Sequence, residues 1–323
     1  MIFMVKKKTK RRKIKRNTKN KKNKNNRKKI VVLKYMVLFA FMFFLVFAYN
    51  KILNKSEEII TVENINYYIQ IADENSRAKA QLNWKEIAAI DNSVNDGKFQ
   101  KGNISRAKNI ALGFYKNENS NELKTLDVVL ENLSLTQKEK IVVYKNLEKL
   151  QEVSLRNKYE GNNVEKDKFI SELEEASIKN YNTYGILPSV TISQAILESE
   201  WGKSTLASNY NNYFGIKADK SWKGKIANMN TKENYNDVIS ANFRAYNSKE
   251  DSIYDLGKFL KGNSRYKDNG LFNGENYIEQ ANALEKAGYA TAKNEQGELI
   301  YGDMLIDVIK ENNLMIIDSK IVK

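Results

Sequence analysis

The stretch that most constrains the fold is a single predicted helix that begins at Pro188, the only proline in the chain. Proline suits a first helical position, and Gly202 suits the exit. Placed at 100° per residue, apolar side chains spread around most of the helix circumference. They are Val190, Ile192, Ala195, Ile196, Leu197 and Trp201. The sequence therefore predicts a helix that is buried at the centre of a domain.

One narrow polar stripe interrupts this apolar surface. Thr191, Gln194 and Glu198 follow the spacing i, i+3, i+7 and share one face, while Glu200 points roughly the opposite way. A carboxyl at the edge of an apolar wall is harder to ionise, and a general acid working near neutral pH needs that upward shift of its pKa. The stripe indicates Glu198 as a candidate acid. The alternative is an ordinary, partly solvated glutamate near a helix end.

The composition narrows the possible chemistry. The 323 residues include no histidine and no cysteine. Ser-His-Asp and Cys-His catalysis, His-ligated metals, disulfides and thiolate sites are therefore excluded. Carboxylates must carry any acid–base chemistry, and we expect no metal and no organic cofactor.

The positive charge is concentrated at one end of the chain. The formal net charge is +15, and residues 1–29 hold 16 lysines and arginines without any acid, so the remainder is nearly neutral. We expect a disordered basic tail at 1–29. The charge is not spread over a folded face, so no nucleic acid partner is expected.

Residues 30–49 form an apolar stretch about as long as a membrane-spanning helix requires, with Lys34 as its one charge. Basic residues crowd before it, which predicts a cytoplasmic amino terminus, a single span in the cell membrane and an extracytoplasmic catalytic domain. The alternative is a signal peptide cleaved after Val46-Phe47-Ala48, which would give a secreted protein.

The remainder divides into a predicted helical stem, 50–160, and a catalytic domain, 161–323, with a polar, turn-prone boundary. In the stem, Thr136 and Glu139 form a capping box. Residues 83–90 predict a buried helix that is faintly similar to the first helix of lysozyme-like domains, and Glu86 on it is conceivable as a second acid. In the catalytic domain we predict a helix through Phe169 and Tyr181, strands at 213–217, 226–230 and 242–246, and helices at 248–260, 277–287 and 302–312.

Several motifs carry a family resemblance. AILESEWGKS and NNYFGIK, within 185–217, resemble the signature of the bacterial endo-β-N-acetylglucosaminidases of glycoside hydrolase family 73, which are peptidoglycan hydrolases of the autolysin and flagellar-rod type. The similarity continues in family order over about 164–314. It includes Thr231-Lys232-Glu233, Phe243 to Tyr246 (FRAY), Asp251-Ser252-Ile253 and Gly288-Tyr289-Ala290-Thr291. Two residues depart from the pattern: Glu200 replaces a small residue, and Ala292 replaces an aspartate.

The resemblance implies a mainly α (α+β) fold, with a lysozyme-like catalytic domain and a small β-lobe. It implies Glu198 as the catalytic acid, Glu233 as a second carboxylate across the cleft, and Tyr289 beside the acid. Glycosidases conventionally pair an acid with a second carboxylate, although an N-acetyl group of the substrate can replace the second. Plausible sugar-binding side chains are Gln194, Trp201, Tyr213, Phe214 and Tyr246.

The predicted function is cleavage of the β-1,4 bond after N-acetylglucosamine in peptidoglycan strands. A lytic transglycosylase of the same fold is one alternative, and a catalytically inactive wall-binding scaffold is another.

Overall fold

A computed structural model of the protein describes residues 60–321, apart from gaps at 77–79, 100–103, 118–119, 121, 157–162 and 234–236, together with residues 36, 42 and 43. The predicted tail at 1–29 and almost all of the predicted span at 30–49 lie outside the described residues. Every helix within the described part is too short or too polar to cross a membrane.

Short helices make up the amino-terminal part of the described chain. They are α1 (Val62–Asn75), α2 (Trp84–Val94), α3 (Ile104–Gly113), α4 (Leu126–Asn132) and α5 (Gln137–Gln151). The predicted capping box at the start of α5 is confirmed, because the Thr136 hydroxyl accepts from the Glu139 backbone N–H while the Glu139 carboxylate accepts from the Thr136 N–H at 2.7 Å. The predicted helix at 83–90 is also confirmed, and Asn83 caps its start.

The second part is helical around one small sheet. Its helices are α6 (Asn163–Tyr184), α7 (Pro188–Ser199), α8 (Thr205–Tyr210), α9 (Lys249–Gly262), α10 (Ser264–Asp268), α11 (Tyr277–Lys286), α12 (Tyr301–Glu311) and α13 (Met315–Asp318). Strand β1 (Lys225–Glu233) pairs antiparallel with β2 (Asp237–Ala245). The predicted helices and the two hairpin strands are thus present, each strand being longer than predicted.

Helix α7 is the buried helix that the sequence predicts. It begins with Pro188 at its first turn, and all its residues are buried except Leu197 and Glu198. Helices α6, α11, α12 and α13 surround it. Its start is capped from a distance, because Asp318 accepts from the Ser189 backbone N–H at 2.9 Å and from the Ser189 hydroxyl at 2.5 Å. A carboxylate at this end of a helix also interacts favourably with the positive end of the helix dipole.

This helix ends before its predicted exit at Gly202. Helix α7 ends at Ser199, and Glu200, Trp201 and Gly202 all adopt left-handed backbone conformations, with φ of 52°, 61° and 76°. The Ser199 hydroxyl accepts from the Gly202 N–H at 2.7 Å and closes this turn. Left-handed conformations cost about 1–2 kcal/mol in residues with a Cβ, so the turn directly after Glu198 holds backbone strain.

The strand predicted at 213–217 was wrong. One isolated bridge joins Lys217 to Phe243. The side chain of Asn212 occupies the backbone groups that a strand would use, since its oxygen accepts from the N–H of Phe214 at 3.3 Å and of Ile216 at 3.2 Å. Its nitrogen donates to the Ile216 carbonyl at 3.0 Å. The NNYFGIK motif is therefore a loop that is folded around a buried asparagine.

Ile60–Lys323 forms one compact unit with one large hydrophobic core, and a small second cluster of Ala227, Phe243 and Ala245 lies in the hairpin. Trp84 of α2 is completely buried, and its indole N–H donates to Asn313 at 3.1 Å. Asn313 in turn donates to the Val153 carbonyl at 2.9 Å, and the Tyr277 hydroxyl donates to Asp73 at 2.6 Å. The helices before residue 157 therefore pack directly against α11 and the carboxyl end of the chain. The division at residue 160 stays a prediction.

Replacing Trp84 tests this shared core. Trp84→Ala should lower the free energy of unfolding by about 3–5 kcal/mol, because truncation of a buried tryptophan leaves a cavity. Denaturant unfolding of the full-length protein should still show one transition for Ile60–Lys323, with its midpoint shifted. Val164→Ala is the control, since that side chain is 83% exposed and surface changes usually stay within about 0.5 kcal/mol. Two separate transitions, with only one displaced, would contradict the shared core.

Candidate active site

Glu198 lies in the last turn of α7 and is one of two residues of that helix that keep some exposure. Its Oε1 accepts a hydrogen bond from the Tyr301 hydroxyl at 2.8 Å. Burial raises the pKa of Glu198 above its ordinary value of 4.5, and the Tyr301 hydrogen bond acts in the opposite direction. A half-buried carboxyl that faces apolar surroundings retains its proton to higher pH than a solvated one, which is the property that a general acid requires.

Two tyrosines form a layer beside this carboxyl. The rings of Tyr289 and Tyr301 stack with centroids 5.6 Å apart and an interplanar angle of 14°. The Tyr289 hydroxyl donates to the Phe214 carbonyl at 3.2 Å, which ties the GYAT segment to the NNYFGIK loop. Burial raises the pKa of both phenols well above 10.0, so both hydroxyls stay protonated and act as donors.

Gln194 lies behind this layer rather than at the surface. Its side chain has no exposed area, and its amide nitrogen donates to the Tyr301 hydroxyl at 3.4 Å. The polar stripe of the sequence thus leads from Gln194 through Tyr301 to Glu198. Thr191, the third member of the stripe, is also completely buried.

The left-handed turn places Trp201 next to α6. Its ring contacts the edge of Phe169 at 6.0 Å between centroids, and the Lys166 ammonium lies 5.0 Å above it. Gly202 allows this approach, because a Cβ there would lie 2.8 Å from the Phe169 ring. Glu200 is exposed on the same turn, so its carboxylate is separate from the tyrosine layer.

The FRAY segment anchors the hairpin to the helices. Arg244 donates to Asp255 of α9 at 2.8 Å, and the Tyr246 hydroxyl donates to the same carboxylate at 2.7 Å. The Arg244 guanidinium also lies 4.8 Å from the centroid of the Trp222 ring. The Arg244 guanidinium and the Tyr246 hydroxyl thus share one largely buried carboxylate. These charge-assisted hydrogen bonds fix the base of the β-lobe relative to α9.

The structure brings together only part of the predicted site. Glu198 and Tyr289 lie in one layer with Tyr301, whereas Glu233 is the last residue of β1 and its side chain lies outside the described part of the chain. Of the predicted sugar-binding residues, Trp201 retains some exposure, and the others are buried. Sugar contact stays a prediction for all five: Gln194, Trp201, Tyr213, Phe214 and Tyr246.

Glu86, the conceivable second acid, lies on α2 in the first helical part of the described chain, which consists of helices α1 to α5. Burial raises its pKa to about 7. Helix α2 packs against α5, so Glu86 belongs to a different part of the core from the tyrosine layer.

Three residues of the site region were missed from the sequence: Tyr301, Asn212 and Asp255. Tyr301 stands 103 residues from Glu198 in the chain. It directly precedes the helix predicted from 302, and local periodicity carries no information about so distant a contact. Asn212 lies inside a motif that was identified, but its role depends on backbone geometry that the letters do not specify.

A family model described as glucosaminidase (mannosyl-glycoprotein endo-beta-N-acetylglucosaminidase) matches residues 174–314, the range that contains Glu198 and Tyr301. The matched range is less than half of the chain. The exo-glucosaminidase LytG of Bacillus subtilis (strain 168) is 36% identical over 158 residues, which cover 46% of this chain and 52% of LytG.

The same part of the chain is similar to other proteins. The peptidoglycan hydrolase FlgJ of Vibrio cholerae is 37% identical over 129 residues, covering 38% of each chain. The solved glycoside hydrolase domain of Salmonella typhimurium FlgJ is 28% identical with a TM-score of 0.38, and the match covers 46% of this chain and 89% of that one. The chain thus spans about half the length of LytG, and the match lies in the second part of the described chain.

The raised pKa of Glu198 predicts that replacing this residue by one that does not titrate stabilises the fold, and that the gain is larger at high pH than at low pH. Between 4.5 and the raised value, the folded state binds more protons at this position than the unfolded state, so this carboxyl destabilises the fold as pH rises through that window. In Glu198→Gln the side chain has no carboxyl that can ionise, so this pH-dependent loss of stability is absent. The melting temperature of the variant, relative to the original protein, should therefore be higher at about pH 8 than at about pH 4.

Calorimetry at the two pH values measures this difference. Glu200→Gln is the matched control on the neighbouring turn, and its side chain lies in solvent. A melting-temperature difference for Glu198→Gln that is the same at both pH values would contradict the proposed environment of the carboxyl.

Proposed function

We propose that residues 174–314 form a glucosaminidase domain, a peptidoglycan hydrolase that cleaves the β-1,4 bond after N-acetylglucosamine, with Glu198 as the general acid. The observation that carries the proposal is the half-buried Glu198 carboxyl, held by the Tyr301 hydroxyl at 2.8 Å inside the range that matches the family model. The similarity to FlgJ, a peptidoglycan hydrolase, supports peptidoglycan as the substrate, and the similarity to the exo-glucosaminidase LytG supports cleavage at a glucosamine residue.

The proposed chemistry begins with proton transfer. The Glu198 carboxylic acid donates its proton to the glycosidic oxygen, the bond from that oxygen to the sugar carbon breaks, and positive charge develops on the sugar ring. Burial supports this role because it keeps the carboxyl protonated at higher pH than a solvated glutamate. Water then completes the hydrolysis.

The second group of the reaction is assigned by resemblance. Glu233 at the end of β1 is the proposed carboxylate that activates water or stabilises the charged ring, and the N-acetyl group of the substrate is the alternative. Tyr289 is proposed to line the cleft beside the acid, since its ring stacks on Tyr301.

We also propose that the apolar stretch at 30–49 anchors the protein in the cell membrane, with the glucosaminidase domain outside. The support is the sequence alone: 16 basic residues precede the stretch, and its length suits a bilayer.

Product analysis tests the proposed reaction. The full-length protein should release fragments from purified peptidoglycan that carry reducing N-acetylglucosamine ends, and Glu198→Gln should lower the rate by about 10²- to 10⁴-fold, the usual contribution of general acid catalysis. Chromatography with mass spectrometry identifies the ends. Glu200→Gln should stay within about a few-fold of the original rate.

Other products would assign another reaction. Ends with 1,6-anhydro-N-acetylmuramic acid would indicate a lytic transglycosylase, and reducing muramic acid ends would indicate a muramidase. Retention of wall binding without any released fragment would favour the inactive scaffold. Loss of activity in Glu200→Gln but not in Glu198→Gln would show that the acid is assigned to the wrong residue.

The proposed topology has its own test. Protease added to intact cells whose wall has been removed should digest the segment around Glu198 and leave the basic tail at 1–29 protected. Immunoblots against both segments measure this. Digestion of the Glu198 segment only after the membrane is disrupted would contradict an external domain, and recovery of the protein in the medium without residues 1–48 would indicate a cleaved signal peptide.

A further inference from the structure

We propose that Tyr301 is a positioning residue for Glu198: its hydroxyl fixes which carboxyl oxygen carries the transferred proton and strengthens the acid. The inference rests on the proposed function, in which Glu198 is the general acid.

The contact assigns different roles to the two carboxyl oxygens. The Tyr301 hydroxyl donates to Oε1 of Glu198 at 2.8 Å. Burial raises the pKa of the Tyr301 hydroxyl well above 10.0, so the phenol keeps its own proton at any pH at which the protein works. An oxygen that accepts this bond serves as the carbonyl oxygen of the neutral acid. Oε2 is therefore the oxygen that holds the proton and donates it.

The backbone around Tyr301 leaves its hydroxyl little freedom. Tyr301 is 3% exposed and begins α12. The next residue, Gly302, donates its backbone N–H to the Glu285 carboxylate of α11 at 2.9 Å. A Cβ at Gly302 would lie 2.9 Å from the Asn282 side-chain oxygen and 3.4 Å from the Ala281 carbonyl, so α12 starts close to α11.

Two side chains orient the ring itself. Tyr289 stacks against one face of the Tyr301 ring, 5.6 Å away between centroids. On the helix that carries Glu198, the Gln194 amide nitrogen donates to the Tyr301 oxygen at 3.4 Å. A hydroxyl that accepts one hydrogen bond becomes a better donor in the next. Gln194, Tyr301 and Glu198 thus form a chain of two hydrogen bonds, here called the relay. Gln194 donates to Tyr301, and Tyr301 donates to Glu198.

The relay acts most strongly after the proton has left. When Oε2 gives its proton to the glycosidic oxygen, the carboxyl becomes a carboxylate, and a hydrogen bond to an ionised oxygen is about twice as strong as one to a neutral oxygen. Tyr301 therefore stabilises the transition state more than the ground state, which is the condition for raising kcat rather than lowering KM.

Tyr301→Phe in the full-length protein tests this role. With the donor removed, kcat on purified peptidoglycan should fall by about 10- to 100-fold, the usual size for a lost hydrogen bond to a charged group, while KM changes by less than about 3-fold. The alkaline limb of the kcat/KM profile should move to higher pH, because the Tyr301 hydrogen bond lowers the pKa of Glu198 and its loss lets burial act alone. A slower enzyme that keeps activity to higher pH is not what a general loss of folding produces.

Tyr277→Phe is the matched control. Tyr277 is completely buried and also donates a hydroxyl hydrogen bond to a carboxylate, Asp73, at 2.6 Å, but α11 holds it at the contact with the first helical part. This variant should leave the pH profile unchanged whatever it does to the melting temperature. If Tyr301→Phe does not fold, Gln194→Met keeps the buried volume and weakens the relay by one bond, and it should shift the alkaline limb in the same direction by a smaller amount.

A substrate-free measurement separates this proposal from the proposed function. The Glu198 carboxyl can be titrated by NMR in full-length protein labelled with ¹³C-glutamate, with Glu198→Gln identifying its signal. The pKa of Glu198 should be higher in Tyr301→Phe than in the original protein. An unchanged pKa, or a fall in kcat without any movement of the alkaline limb, would overturn the positioning role. Absence of reducing ends from the original protein, together with a shifted Glu198 pKa, would instead overturn the proposed function alone.

Discussion

Helix α7 must bury nearly its whole circumference and still leave one carboxyl partly exposed, and the surrounding structure satisfies both conditions. Helices α6, α11, α12 and α13 pack around it. The cost of burying its polar side chains is reduced by local and distant partners. Ser193 donates to the Val190 carbonyl at 2.9 Å, and Ser189 is bound by Asp318 from the far end of the chain. A helix of this kind cannot stand at a surface, so it fixes the position of the elements that cover it.

The end of this helix determines where the Glu198 carboxyl lies. Three consecutive left-handed residues follow Ser199, and two of them carry side chains. Strained conformations of this type persist only where neighbouring contacts over-determine them. Here the Ser199 hydroxyl, the Phe169 ring and the close approach at Gly202 supply those contacts. The strain therefore lies next to Glu198, where the helix ends abruptly.

The sequence predicted the elements well and the connections between them poorly. Periodicity located α7 because a buried helix repeats its apolar positions within a few residues, and capping residues located the start of α5 because the cap is local. The strand at 213–217 failed because Asn212 competes for the backbone of that segment, an interaction that propensity does not register. Tyr301 could not be found at all, since its contact with Glu198 depends on the packing of α12 against α7.

The two parts of the described chain are connected through the helix that carries Tyr301. Helix α12 begins at Tyr301, and two residues after its end Asn313 joins the Trp84 indole and the Val153 carbonyl. The first helical part therefore holds one end of α12, while the other end sets the Tyr301 hydroxyl 2.8 Å from the Glu198 carboxyl. Displacements of about 1 Å in a catalytic group are costly for rate. On the proposal that Glu198 is the general acid, a helical segment outside the range matching the family model would affect catalysis without touching substrate, because it fixes the helix from which Tyr301 reaches Glu198.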